Sequence, residues 1–370
     1  MRAVEGPADL ARFIDLPYRL HRDDPVWVPP LRRDVKAMLD RRANPFFEHG
    51  DAAFFLAERD GRVAGRIAAI SNRLHNETHH DRVGFFGFFE CEDDQAVADA
   101  LFDAAAGWLR ARGFDTMRGP ASYSVWDEFG LVVWGHDKPA TLMMGQNPAY
   151  YVPLVERAGF VKAKDLLCYE GGEPAAEAAE RIERGVALVR QRYGLTTRTL
   201  DPSRMREELE TVKEILRAGW ERNWGSIPIT DREIAHIADQ LQAVIVPELV
   251  PFILKDGRPI AFAWAMPDLY DALRRNRSGA FLPGLLRVLW GVKTRTITRT
   301  RILLLGTRPE WRGKGLDAFL IHEIWKRGYA RGQRWGEAGW ILEDNAGMNA
   351  ALTKFGWTHY KTYRVYDRPA

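Results

Sequence analysis

Thr307-Arg308-Pro309-Glu310-Trp311-Arg312-Gly313-Lys314-Gly315-Leu316-Asp317-Ala318 separates an apolar run, Arg301 to Gly306, from a long amphipathic stretch, Leu316 to Arg331. Two glycines one residue apart let the backbone approach a ligand closely. The stretch behind them opens a helix, whose free amides and dipole favour an anion. Arg312 and Lys314 put cations where a pyrophosphate would lie. A glycine-rich surface turn with a charge pair has the same spelling, so the flanking elements must decide.

Upstream, Pro251 to Leu254 and Pro259 to Met266 flank Asp256-Gly257, a hairpin signal; Ala52 to Glu58 and Arg62 to Ile70 flank Asp60-Gly61 in the same way. The strand Val83 to Phe89 then precedes a helix, Ala96 to Arg112, apolar at Val97, Ala100, Leu101, Ala104, Ala105 and Trp108. Leu320, Ile321, Ile324 and Trp325 repeat that spacing behind the second strand. Each half closes on an Asn that opens a helix, a Gly-aromatic pair and a last strand. These are Asn147, Gly159-Phe160 and Lys164 to Tyr169, then Asn345, Gly356-Trp357 and Lys361 to Tyr366. Two copies of one unit is the economical reading. The expected fold is α/β, an α+β mixed sheet: two tandem domains, each mostly antiparallel with helices on both faces. The Ala, Glu and Gly-rich stretch Glu170 to Glu183 marks the joint. It divides the chain into an N-terminal domain 1–170, a linker and connecting helix 171–194, and a C-terminal domain 195–370.

A chain of 370 residues with 46% hydrophobic content can bury two cores, and 53 basic against 50 acidic residues argue against a nucleic-acid partner. Cys91 and Cys168 make neither a disulfide framework nor a metal pair, and His79 and His80 read as solvated, so no metal is expected. Met1 to Leu10 contains Glu5, Pro7 and Asp9 and lacks the apolar core of a secretory signal. Phe281 to Val292 is broken by Arg287 and is shorter than the roughly 20 residues of a spanning helix. A cytoplasmic protein is expected; its oligomeric state is not legible.

The order of strand, cradle, helix, strand and Asn-opened helix, from about Leu195 to Asp367, resembles the GCN5-related N-acetyltransferase (GNAT) superfamily. That superfamily's cradle is Gln or Arg, two residues, Gly, one residue, then Gly or Ala. Gly313 and Gly315 match, and Glu310 stands at the first position. The resemblance implies acyl-coenzyme A as co-substrate. Leu305, Gly306 and Thr307 would lie along its pantetheine arm, Arg312, Gly313, Lys314, Gly315 and Leu316 on its pyrophosphate, with Asp317, Asn345 and Asn349 bordering it. The first copy resembles the superfamily too, but its turn reads Glu90-Cys91-Glu92-Asp93-Asp94-Gln95. Four carboxylates would repel a pyrophosphate, with Asp93 or Asp94 left as a helix cap, so one cofactor site per chain is expected.

Amide formation needs an amine that loses a proton and a thiolate that gains one. Many superfamily members carry the acid as a Tyr seven residues after the helix-opening Asn, where this chain has Leu352. Candidates are Glu343 and Asp344 at the end of the strand Glu337 to Leu342, Glu337 itself, and Tyr360. Glu343 and Asp344 read equally well as helix-capping carboxylates, and Glu337 as a carboxylate of raised pKa or an edge residue in water. Between Ser122 and Gly130, Ser124, Trp126, Asp127 and Glu128 form a polar, aromatic loop that could bind the acceptor or pack as surface.

Ala272 to Pro309 carries nine cations and no acid, interleaved with Phe281, Leu285 and Trp290. This pattern fits an element lying on anionic lipid, or a helix packed on the body with its cations solvated. Gly119-Pro120-Ala121-Ser122-Tyr123-Ser124, Asn147-Pro148-Ala149-Tyr150-Tyr151 and Trp340-Ile341-Leu342-Glu343-Asp344-Asn345 together look like a group of bacterial proteins that includes the bacterial ceramide synthases. That resemblance covers nearly the whole chain. It implies transfer of a long fatty acyl group from coenzyme A to the amine of a sphingoid base (3-ketosphinganine-like); the basic, apolar segment would place the protein on the inner face of the cytoplasmic membrane. Three readings stay open: a lipid N-acyltransferase, an acetyltransferase of a soluble amine, and a catalytically silent module that binds coenzyme A.

Overall fold

The computed structural model describes residues 1–220 and 223–370, which fall into two compact units. The first comprises Met1–Leu166, Leu273–Leu285 and Lys361–Ala370; the second comprises Leu167–Ala272 and Leu286–Tyr360.

The first unit contains β1 (Arg2–Ala3), α1 (Gly6–Leu20), α2 (Arg32–Leu39), β2 (Gly50–Arg59), β3 (Arg62–Asn72), α3 (Arg73–His79), β4 (Val83–Cys91), α4 (Gln95–Arg110), β5 (Thr116–Gly119), β6 (Leu131–Trp134), α5 (Tyr151–Arg157) and most of β7 (Val161–Gly171). Strands β1 to β4 are antiparallel neighbours and β4 runs parallel to β5. The second unit contains α6 (Ala176–Tyr193), β8 (Leu195–Thr199), α7 (Met205–Trp220), α8 (Asp231–Leu241), β9 (Pro251–Lys255), β10 (Arg258–Pro267), α9 (Leu269–Leu273), α10 (Phe281–Thr294, entering from the first unit), β11 (Arg299–Thr307), α11 (Leu316–Ala330), β12 (Trp335–Leu342) and α12 (Ala346–Lys354). Here β8 to β11 are antiparallel and β11 runs parallel to β12. The last strand, β13, spans Thr358–Pro369. The same strand pattern in each unit is the repeat read from sequence.

The hairpins follow from their turn residues. Asp60 and Gly61 have φ of +51° and +74°, Asp256 and Gly257 of +49° and +78°. This left-handed pair is what a two-residue primed turn requires. Alternation along the strands then gives each sheet two apolar faces. In the first unit Leu101, Phe102, Ala105 and Leu109 of α4 bury Ile67, Ala69, Phe86 and Phe89, and Phe13 of α1 packs with Leu56 and Val63 on the other face. In the second, Phe319, Leu320 and Ile324 of α11 bury Ala261, Ala263, Ile302 and Ala338. Behind that sheet, α7 comes so close that a Cβ on Gly306 would stand 3.1 Å from Ile215 Cγ2.

Several expectations are corrected. Two segments assigned to 195–370 group with the first unit. The end of β13 pairs with β5, Tyr366 opposite Gly119 and Pro369 opposite Thr116, under a two-pronged Arg118–Asp367 pair with both bonds 2.8 Å. Arg277 sews Leu273–Leu285 down by donating to the carbonyls of Trp27, His21, Arg22 and Asp24. The stretch 171–194 holds the helix α6, whose Val186 belongs to the second core. Asn147 does not open a helix: its side chain bonds both backbone groups of Val132 on β6, and α5 begins at Tyr151.

The basic segment is likewise not one surface element. Arg299, Arg301 and Arg308 sit in or beside the central strand and pair with Asp268, Glu337 and Glu214. What remains is α10, whose outer face shows Leu282, Leu286, Leu289 and Trp290, 36% to 68% exposed. Phe281, under the Arg33 guanidinium at 4.3 Å, and Leu285 are half-buried, so of the expected apolar contacts only Trp290 is on that face.

Candidate active site

In the second unit, β11 pairs with β10 from Thr300 to Thr307 but with β12 only from Arg299 to Ile302, opposite Trp335 to Ala338. Past Ile302 the two parallel strands part. A one-residue shift accompanies the fork, Ile302 facing Ala265 and Leu304 facing Trp264, so Leu303 is a bulge that bends the strand there. The first unit has the same irregularity on β4, between Gly87 and Glu90.

The cradle closes the upper end of this fork. Gly313 and Gly315 have φ of +71° and +80°, and nothing lies within 4 Å of a Cβ built on Gly313. Gly315 is the N-cap of α11 and has no side chain to cap it, so the helix N-terminus offers its amides to a ligand. Lys314 Nζ donates to Glu310 O at 2.8 Å and rests 4.5 Å over the Trp311 ring, while Arg312 donates to Gly219 O. Thr307 Oγ1 donates to Asp317 Oδ1 at 3.1 Å, and burial raises the Asp317 pKa. Leu305 O accepts from the Trp220 indole at 3.1 Å, a contact of α7 that the sequence did not reveal. Gly306 lies between Phe262 and Ile215.

Glu343 and Asp344 follow the carboxyl end of β12, the end at which the parallel strands part; Glu343 is half-buried and Asp344 exposed. Asn345 caps α12 by accepting from Met348 N, and Asn349 fixes the turn by donating to Leu342 O and Glu343 O. Leu352 is wholly buried in the core, so no acid acts from that position. Glu337 is no edge residue: it is 0% exposed, 3.1 Å from Arg301 Nε on the strand alongside. Burial pushes its pKa up to about 7 against the pull of Arg301. Tyr360 is buried, its ring 6.1 Å from that of Trp335.

In the first unit the Ser122–Gly130 loop is closed by its own bonds: Ser122 N to Glu128 O, Ser124 Oγ to Asp127 Oδ2, and Trp126 N to Ser124 Oγ. Desolvation by the surrounding protein, reinforced by Glu90 and opposed by Arg66, pushes the Glu128 pKa up to about 7, although the residue as a whole is exposed. Glu90 lies in β4, not in the turn. It accepts from His21 Nε2 and Tyr151 Oη, both at 2.7 Å, with Arg66 at 3.8 Å. Burial alone would raise its pKa, but these partners hold it below a glutamate's ordinary value. Of the other three carboxylates, Glu92 pairs with Arg19 and Arg62 and Asp94 with Arg59. Repulsion is therefore only part of what distinguishes this turn. Asp94 caps α4 by accepting from Ala96 N and Val97 N, and Tyr151 and Tyr150 occupy the N–H and C=O of Cys91. The amides that the second unit leaves open are taken here.

No family model matches the chain. It is 38% identical over 374 residues to the bacterial ceramide synthase of Caulobacter vibrioides, covering 99% of this chain and 96% of that one. It is 32% identical over 372 residues to protein YghO of Escherichia coli, covering 100% and 95%. Among solved structures, a tandem GNAT protein from the clavulanic acid biosynthesis pathway superposes with a TM-score of 0.56 at 12% identity, over 100% of this chain and 97% of that one. A GNAT protein from Sphaerobacter thermophilus superposes with 0.53 at 16% identity, over 100% and 95%.

Proposed function

Because the chain belongs to the family of the bacterial ceramide synthase, built on the tandem GNAT fold, we propose that it is an acyl-coenzyme A-dependent N-acyltransferase acting on a sphingoid base. The observation that carries this reading is the forked pair β11 and β12 ending in a cradle with two left-handed glycines and an uncapped helix. The cradle amides, with Arg312 and Lys314, would hold the pyrophosphate. The edge of Leu303–Thr307 that β12 leaves would take the pantetheine arm.

In the transfer, the acceptor nitrogen bonds to the thioester carbonyl carbon, the carbon–sulfur bond breaks, and the thiolate leaves to be protonated. The amine's proton needs a base. Glu343 and Asp344 stand at the open end of the fork, which favours them over Glu337, sealed against Arg301. Glu128, exposed on the Ser122–Gly130 loop, would offer a carboxylate to a cationic amine once it is ionised. The apolar outer face of α10 supports a long-chain acyl group or acceptor and a place on the inner, anionic face of the cytoplasmic membrane. No helix among the described residues is long and apolar enough to cross a membrane.

Incubating the protein with palmitoyl- or acetyl-coenzyme A and a panel of amines, then extracting lipids for mass spectrometry, tests the reading. An N-palmitoyl sphingoid product is expected. Faster acetylation of a water-soluble amine would replace it with the soluble-substrate reading. Coenzyme A binding without turnover would favour the silent module, the reading that the buried Leu352 supports.

A further inference from the structure

In an antiparallel ladder every second residue turns both its N–H and its C=O toward the neighbouring strand, and the residues between turn theirs away. Arg308 N donates to Ile260 O at 2.9 Å, which makes that opposed pair a bonded one. Counting back along β11 against β10, Gly306 opposite Phe262 is bonded too, whereas Leu305 and Thr307, opposite Ala263 and Ala261, point their backbone groups outward. They point to the side from which β12 has parted, so no strand answers this stretch of edge.

The last turn of α7 answers it instead. The Trp220 indole N–H donates to Leu305 O at 3.1 Å, and Gly219 lies so close that a Cβ on it would stand 3.3 Å from Thr307 O. A third contact comes from the cradle, where Arg312 donates to Gly219 O. Two of these contacts have a counterpart in coenzyme A. Trp220 gives Leu305 O the N–H that an amide of the pantetheine arm would give, and Gly219 gives Arg312 the oxygen that the pyrophosphate would give. Leu305 O has a second lone pair, but an arm lying along this edge would need the space that the Trp220 indole and the Gly219 backbone fill.

We propose that the last turn of α7 is an intramolecular competitor of coenzyme A, a strap on the cofactor edge that the arriving cofactor displaces. The proposal rests on the acyl-coenzyme A reading above. Charge decides the exchange. Arg312 bonds an ionised phosphate oxygen roughly twice as strongly as a neutral carbonyl, whereas an indole and an amide N–H are worth about the same to Leu305 O. The pyrophosphate draws Arg312 off Gly219, and the arm then takes the edge from Trp220 at little cost. In place, the strap shields an unpaired strand edge from pairing with other chains.

Trp220→Phe keeps an aromatic ring and removes the N–H. Calorimetry of the full chain with coenzyme A should show this variant binding about 2- to 10-fold more tightly than the wild type, because one neutral hydrogen bond no longer has to be given up. If Trp220 only walled the arm, the substitution would lower the affinity or leave it unchanged, and either result overturns the strap. Hydrogen–deuterium exchange of the wild type needs no variant. With coenzyme A, the amides in the last turn of α7 should exchange faster while those of Gly313 to Leu316 exchange more slowly. Slower or unchanged exchange in α7 beside a protected cradle overturns the proposal as well. Failure of the cofactor reading looks different: neither protein gives a calorimetric signal, the cradle amides keep their exchange rates, and the strap falls with it.

Discussion

Gly313 can be tested at the level of one atom, because its φ of +71° surrounds open space. Alanine there meets only the left-handed strain, about 1 kcal/mol, whereas aspartate adds a negative charge where the pyrophosphate would lie. Calorimetry should show Gly313→Asp losing roughly 100-fold or more in coenzyme A affinity while Gly313→Ala loses little, since opposed charge at a phosphate site outweighs mild strain. Equal affinities in folded proteins would move the cofactor elsewhere. Glu337 offers a pH test. A glutamate's ordinary value is 4.5, and this one is raised to about 7. Between those values the unfolded chain has released the proton and the folded chain still holds it. Stability should therefore fall as pH rises across that window, by up to roughly 3 kcal/mol, and then level off. Glu337→Gln should remove this part of the slope. Urea midpoints at pH 5, 6, 7 and 8 decide it: parallel profiles for the two proteins would mean that Arg301 keeps Glu337 ionised. The sequence left Glu337 open between a carboxylate of raised pKa and an edge residue in water. The choice was not legible there, because the burial of Glu337 depends on Arg301, 36 residues away along the chain but directly opposite in register.

Helices and strands were legible where local chemistry specifies them. Asp-Gly turns set both hairpins, and Gly-Lys-Gly placed the start of α11. The basic segment misled because cations within a run of sequence need not share a surface: Arg299 and Arg301 are strand residues with buried partners, and Arg277 binds carbonyls. On α10 the apolar residues Leu282, Leu286 and Trp290 recur at intervals of four on the outer face, whereas Phe281 and Leu285 point partly inward. Leu282→Ser, Leu286→Ser and Trp290→Ser combined should therefore abolish co-sedimentation with anionic vesicles with little change in melting temperature, since these side chains are already in water. Phe281→Ser and Leu285→Ser should instead lower the melting temperature. High salt should weaken whatever part of vesicle binding Arg287 and Lys293 contribute. If the wild type ignores anionic vesicles at every ionic strength, α10 has no part in lipid contact.

At the scale of the whole chain, the two copies were legible from hairpin spacing and repeated closing motifs, whereas the exchange of segments was not. Nothing local in Lys361–Ala370 says that its partner is β5, a pairing written in the Arg118–Asp367 bond across about 250 residues. The copies differ most where function should. In the second, α11 starts from a glycine with no side-chain cap, above strands that part after Ile302. In the first, Asp94 answers two amides of α4, Tyr150 and Tyr151 bind the backbone of Cys91, and the chain after β5 fills the place beside β4. There Ala121 N donates to Phe86 O at 2.8 Å, and a Cβ on Gly87 would strike Ala121 O. A cofactor arm would have to displace all of these at once. Titration with coenzyme A should accordingly reach one equivalent per chain, and Gly313→Asp should leave none. Asp94→Gly tests the reason: uncapping α4 should cost about 1 kcal/mol of stability or less without creating a second site, because the tyrosines and Ala121 still close the strand. Two equivalents in the wild type, or one surviving in Gly313→Asp, would show that the first copy binds coenzyme A despite its filled edge.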